Sequence, residues 1–379
     1  MLSPFIVQDK PIHLDRFPIA QVNRSLQAWD ATDEYLLSYC QEQEYLVGKK
    51  NILIVNDSFG AIACNLTKHK IYCVSDSYLS HQGCRYNIEQ NNLADDTISY
   101  LDSLSELPES INLILYRIPK SRALLSHQLA QIAGQYGETT KFIAGARAKD
   151  IHSSTLKVFE HFLGETQTSL AVKKSRLVFS LLSKPAQQTL TSNISWPLER
   201  TKFNISNHAG VFSRESLDIG ARFFLQHLPK VKPEQTVIDL GCGNGVIGLS
   251  VLANQAGANL IFKDESYMAI ASTHDNISEN LPNLLAQCRF EADDCLTNET
   301  NSSADLILCN PPFHQQHATT DHIAWQMFND SKRVLKSGGE LRIIGNRQLG
   351  YHIKLKRIFG NCTTIASNKK FVVLSSIKS

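Results

Sequence analysis

Several things are missing from this 379-residue chain, and each absence excludes something. Its nine cysteines (Cys40, Cys64, Cys73, Cys84, Cys242, Cys288, Cys295, Cys309, Cys362) never form a Cys-x-x-Cys pair, so neither a zinc knuckle nor a disulfide framework is indicated. They read as reduced core thiols. The opening "MLSPFIVQDKPIHLDRFPIA" has no basic region followed by an apolar core, and no later run is long enough to cross a bilayer. A cytoplasmic protein without a membrane partner is expected. A formal charge of only +2 does not announce a polyanion partner, although Lys and Arg do gather at "ARAKD" (Arg147, Lys149), "VKKSR" (Lys173, Lys174, Arg176) and "HIKLKR" (His352 to Arg357).

What is present is one pattern written twice. "ILIVNDSFGAIAC" (from Ile52) matches "TVIDLGCGNGVIGL" (from Thr236): an apolar strand, a turn of small or polar residues, and a helix start. "VSDSY" (from Val74) then matches "FKDES" (from Phe262), "NIEQNNL" (from Asn87) matches "NISENL" (from Asn276), and "INLILYRIPKS" (from Ile111) matches "ADLILCNPPFH" (from Ala304). Repeated strand–helix–strand units with apolar strands imply parallel sheets covered on both faces, an α/β architecture with two tandem Rossmann-like domains. The copies differ where chemistry would sit. Ile54 replaces Asp239, Asn56 and Ser58 replace Gly241 and Gly243, and Arg117 to Lys120 replace Asn310 to Phe313. Residues 1–185 therefore read as a degenerate copy, 186–200 as a linker, and 201–379 as the working copy.

In the working copy "VIDLGCGNGVIGL" ends an apolar strand in Asp239 and follows it with Gly241, Gly243 and Gly245. The glycines allow positive φ and close approach of a ligand, and the helix start offers free N–H groups. A carboxylate at such a loop repels the phosphate that a dinucleotide fold awaits and suits a cation. S-adenosylmethionine, with its sulfonium and ammonium, is a ligand of that kind. Asp264, at the end of the next strand, is placed to take ribose hydroxyls. In "FEADDCL", Asp293 or Asp294 can accept from the adenine amino group, with Asp294 preferred. Upstream, Phe212 and Ser213 in "GVFSRESLDIGARFFLQHL" read either as a lid over the cofactor or as part of a cap and core helix.

Asn310, Pro311, Pro312 and Phe313 form the second signal. A planar amine is a poor nucleophile because its lone pair is delocalised. Two rigid acceptors, the Asn310 side-chain carbonyl and the Pro311 backbone carbonyl, would draw on its protons and aim the nitrogen at a methyl group. Each proline restricts its own φ and the residue before it, so the acceptors are preorganised. Phe313 can stack on a flat substrate. His314, His317 and His322 fit no metal-ligand spacing and read as loop or ring contacts, so no metal is expected.

"DLGCGNG", "NPPFH" and "LKSGGELRIIGN" together resemble the class I S-adenosylmethionine-dependent methyltransferases, specifically the bacterial ribosomal RNA guanine-N2 methyltransferases with two tandem methyltransferase-like domains. The likeness covers nearly the whole chain. It implies cofactor contacts at Asp239, Gly241, Gly243, Asp264 and Asp294, catalysis at Asn310 to Phe313, a guanine of 23S rRNA as substrate, and a first domain that helps hold RNA. A 16S rRNA guanine, a glutamine amide of a protein, or DNA adenine would serve the same amine-gripping motif, and a non-catalytic RNA-binding protein would need no cofactor.

Overall fold

Apolar runs buried on both faces become the centres of two sheets. "NILIV" (Asn51–Val55) and "TVIDL" (Thr236–Leu240) share one burial pattern, only the first residue of each being partly exposed. The computed structural model describes residues 5–7, 10–19, 26–183, 193–312 and 318–379. The chain divides into two units, Met1–Ser192 and Asn193–Ser379, each with a seven-stranded sheet. Strand Ile194–Pro197, in the stretch read as linker, pairs antiparallel with Asn204–Asn207 in the second unit.

The first sheet comprises Asn51–Val55, Lys70–Val74, Ile98–Leu101, Leu113–Arg117, Lys141–Arg147, Thr166–Thr168 and Ser175–Ser180. The second comprises Thr236–Leu240, Asn259–Asp264, Cys288–Ala292, Ala304–Cys309, Leu335–Asn346, Thr363–Ser367 and Phe371–Ile377. With strands counted in chain order within each sheet, both run 3-2-1-4-5-7-6. The first five are parallel and the seventh is inserted antiparallel beside the fifth. The strand order reverses between the first and fourth strands, where the crossovers part and leave a crevice at the carboxyl ends.

Register makes the duplication residue-exact. Ile54 lies opposite Leu115 as Asp239 lies opposite Leu308, so Arg117 takes the place of Asn310. In the first unit the equivalent ground is occupied by the protein's own side chains. Asp57 accepts from the N–H groups of Ala61, Ile62 and Ala63 at 3.0, 2.9 and 3.0 Å, and Asn56 bonds Gln128 and the Arg117 carbonyl. Arg117 itself pairs with Asp30 at 2.9 Å and Asp33 at 2.8 Å.

A second device is common to both units. In the second, the segment from Asn204 to Gly210 lies along helix Tyr267–Asn280: the N–H groups of Asn204, Ser206, His208 and Gly210 donate to Asn280, Asn276, Ser272 and Met268 at 3.0, 2.7, 2.9 and 3.0 Å. An extended chain repeats every second residue and one helix face nearly every fourth, so the two periods lock. Asn276 is fully buried and also donates to the carbonyls of Ser206 and Asn244, both at 2.9 Å. In the first unit Asn91 and Asn87 accept in the same way from His13 and Asp15. Asn276→Ala strands the Ser206 N–H and two carbonyls, and will lower second-unit stability by about 2–4 kcal/mol in urea titration of the full chain. A change below about 0.5 kcal/mol would show that the lock contributes little.

Candidate active site

The strand Thr236–Leu240 carries Asp239 into the interior at 0% exposure, because its neighbours on either side are strands of the same parallel sheet. One carboxylate oxygen, Oδ2, accepts from the Gly248 N–H at 2.8 Å. The other, Oδ1, is buried and has no hydrogen-bond partner among the described residues. Burial pushes the Asp239 carboxyl up to about 7, the nearby Asp264 adds to the rise, and the Gly248 N–H only partly offsets both. An unpaired buried carboxylate oxygen is costly unless a cation or donor reaches it.

The loop that follows fits such a visitor. Gly243 has φ +57° and a Cβ there would meet nothing within 4 Å, so open space lies over the backbone. Its N–H donates to Asp264 Oδ2 at 2.9 Å, and the Ser266 N–H donates to Oδ1 at 3.0 Å. Both bonds orient the half-buried Asp264 carboxylate at the end of the neighbouring strand. Gly248 is glycine for another reason: a Cβ would stand 2.2 Å from the Phe262 ring and push the helix off Asp239. From behind, Thr273 donates to the Gly243 carbonyl at 3.0 Å, and Asn276 holds that of Asn244.

The paired aspartates differ in their surroundings. Asp293 is committed: Oδ2 accepts from Lys263 Nζ at 3.1 Å, and Oδ1 accepts from Asn298 and from the Asp294 N–H, both at 2.8 Å. Burial alone would lower the pKa of Lys263, which is 1% exposed, but Glu291 and Asp293 reverse this and raise it. Glu299 lies 3.2 Å away as a third carboxylate. Asp294 lies outside this knot; burial raises its pKa, and side-chain hydrogen bonds with Gln326 and Cys295 partly oppose the rise.

Asn310 follows strand Ala304–Cys309 directly. Since Leu308 lies opposite Asp239, standard strand spacings put the Asn310 and Asp239 backbones about 8 Å apart at one sheet edge. Asn310 Oδ1 is also buried without a partner among the described residues. Two oxygens without donors among the described residues therefore lie at the switch point, one on a strand and one just past the end of its neighbour. Pro311 is buried and Pro312 half-buried, whereas Phe313, His314 and His317 lie outside the described residues.

Residues 3–184 match the RLMG N-terminal domain model, and residues 202–375 match the methyltransferase small domain model. The ribosomal RNA large subunit methyltransferase G of Colwellia psychrerythraea is 55% identical, with 100% of each chain covered. That of Pseudoalteromonas translucida is 52% identical over 98% of this chain and 97% of its own. The chain belongs to the ribosomal RNA large subunit methyltransferase G family. It is a methyltransferase. A solved T. thermophilus 16S rRNA N2 methyltransferase in complex with AdoMet and guanosine shares the fold, with a TM-score of 0.77 at 17% identity over 100% of this chain and 98% of that one.

In this methyltransferase G family member the structure brings Asp239, Gly241, Gly243, Asp264 and Asn310 to one sheet edge. Phe212 is 61% exposed, two residues beyond the point where the docked segment leaves its helix. His322 is exposed on helix Ala318–Val334, and no group of three His, Cys, Asp or Glu is placed to hold a metal among the described residues. All nine cysteines are free, and among the described residues no helix is long and apolar enough to cross a membrane. Thr273, Asn276 and Lys263 went unnoticed in the sequence as supports of the site. The four-residue spacing of Asn276 and Asn280, repeated at Asn87 and Asn91, was the available signal for the first of these contacts.

Because the Asp239 pKa rises on folding from 3.8 to about 7, the ligand-free folded state binds that proton more tightly than the unfolded chain. Wild type will lose stability relative to Asp239→Asn as pH climbs from about 4 to 7, by up to about 4 kcal/mol, with no further change above that window. Denaturant titrations of both proteins across pH measure the difference. A flat difference curve would mean that Asp239 is already ionised at low pH.

Proposed function

We propose that the second unit transfers a methyl group from S-adenosylmethionine to the exocyclic N2 amine of a guanine in 23S rRNA. The observation that carries this reading is the pair of buried oxygens without a partner among the described residues, Asp239 Oδ1 on one strand and Asn310 Oδ1 just past the end of its neighbour, at the switch point. Each has the chemistry of a group that waits for a donor or a cation. The names of the relatives support rRNA of the large subunit.

In this reading Asp239 faces the positive end of the cofactor, Gly241 and Gly243 let it approach the backbone, Asp264 takes the ribose hydroxyls, and Asp294 accepts from the adenine amine. Bound S-adenosylmethionine supplies an electrophilic methyl on a positive sulfur. Asn310 Oδ1 and the Pro311 carbonyl accept hydrogen bonds from the two N–H groups of the guanine amine, hold its lone pair along the line of attack, and shield the positive charge that builds on nitrogen until one of these protons is released to water, the electron pair of the broken C–S bond remaining on sulfur. The proline pair keeps these acceptors from swinging toward solvent. Phe313 stacks on the extruded base. The first unit, residues 1–185, binds RNA without cofactor, because Asp57 and Arg117 fill the corresponding ground.

Asn310→Ala will leave S-adenosylmethionine affinity within about twofold by calorimetry and lower kcat on a 23S rRNA transcript by about 100-fold or more. Methylation at the wild-type rate would remove Asn310 from the chemistry. Cofactor affinity should also rise with pH toward about 7 and level off above it, since the cation needs Asp239 ionised, and Asp239→Asn should flatten that profile.

A further inference from the structure

Positive charge in the second unit is concentrated at its end. Residues 341–379 contain eight Lys and Arg and no Asp or Glu. Three of these cations meet at the carboxyl edge of the sheet, where Asn310 also lies. Arg347 directly follows the fifth strand, Leu335–Asn346, and its N–H donates to the Lys370 carbonyl at 3.0 Å. Lys369 and Lys370 form the turn before Phe371, which pairs with Asn346. All three are exposed, and none makes an ion pair among the described residues. By contrast, Arg342 is satisfied by Glu340 at 2.7 Å.

The same turn in the first unit also carries two lysines. Ser175 pairs with Arg147 as Phe371 pairs with Asn346, so Lys173 and Lys174 occupy the places of Lys369 and Lys370. The Ala148 N–H donates to the Lys174 carbonyl at 2.8 Å, matching the Arg347 contact. Yet the two turns are built differently. Lys173 and Lys174 have φ of +46° and +65°, a conformation lysine does not favour, whereas in the second unit Asn368 Oδ1 accepts from the N–H groups of Lys370 and Phe371 at 2.9 and 2.7 Å. Turn geometry therefore does not explain a lysine pair at both places. The glycine loop and the Asn-Pro-Pro segment diverged between the copies while this pair is present in each. In the first unit Lys173 is partly neutralised by Glu34 at 2.7 Å, whereas in the second neither lysine makes an ion pair among the described residues, Lys370 Nζ lying 5.1 Å from the centre of the Phe371 ring, a contact that leaves its charge unneutralised.

We infer that Arg347, Lys369 and Lys370 form a phosphate-contacting corner that holds the RNA backbone beside the amine site of the second unit. The inference rests on the rRNA reading above and adds the means by which the catalytic unit itself grips its substrate. Ammonium and guanidinium groups spaced along a sheet edge suit a run of phosphates, and each contact releases a counterion.

The test compares the full chain with R347Q/K369Q/K370Q and with K369R/K370R, using 23S rRNA transcribed in vitro. The triple variant should show a KM for RNA raised about tenfold near 0.15 M salt and a plot of log affinity against log salt shallower by about two to three units. Its kcat at saturating RNA and its S-adenosylmethionine affinity should stay within twofold, and the arginine pair should behave as wild type. An unchanged KM and salt slope would overturn the inference. So would a loss confined to protein-bearing ribosomal particles, which would assign the corner to an acidic protein. If wild type itself fails to methylate the transcript, the active-site reading falls as well; if wild type methylates and the triple variant matches it, only this inference falls.

Discussion

The structure of the second unit depends on one carboxyl group that the fold does not satisfy. Asp239 sits at the centre of a parallel sheet, one oxygen held by the Gly248 N–H and the other without a partner among the described residues. Leaving an acid in that position costs stability, since its pKa is driven up to about 7. A polar group that costs stability in the empty protein and gains a partner on binding makes the binding free energy of a cation larger than surface chemistry could supply. The arrangement around it follows: Gly248 must lack a side chain, Gly243 must leave space, and Asp264 must be held by backbone donors rather than left mobile.

The first unit shows the same fold with that demand removed. Ile54 replaces the buried acid and packs as ordinary core at 0% exposure. The carboxylate for the helix amides now comes from Asp57 in the loop, and Arg117, in the place of Asn310, is tied down by Asp30 and Asp33. The two charged groups at the places of the glycine loop and Asn310, Asp57 and Arg117, are met internally. What both units retain in their framework is the strand order and the asparagine ladder between a helix and the segment preceding the sheet, and both also carry a lysine pair at the last turn. The ladder reaches the glycine loop through Asn276 and so couples the segment from Asn204 to Gly210 to the position of Asn244.

Much of this was legible in one dimension because it is periodic or local. The duplication could be read from four matched segments, and the register of the sheets agrees with those matches at Ile54 and Arg117. The glycine loop and Asn310 were visible because glycine and proline act on their own backbone. Other parts were not. That Asp293 is spent on Lys263 depends on Lys263 and Glu299 being brought to it from outside "FEADDCL", and nothing in that segment says which of its two aspartates they meet. The ladder joins residues about seventy positions apart, so its asparagines looked like helix surface.

Sequence alone determined the doubly wound pattern, the replacement of the Asp, Gly and Asn-Pro-Pro residues in the first half, and which residue types stand at those places in the second, since each rests on strand period, backbone φ or residue type. Tertiary structure decided which of those groups are satisfied. Whether an oxygen has a donor depends on atoms that arrive from elsewhere in the chain. Packing leaves Asp239 Oδ1 and Asn310 Oδ1 without a partner among the described residues while it closes Asp57 and Arg117.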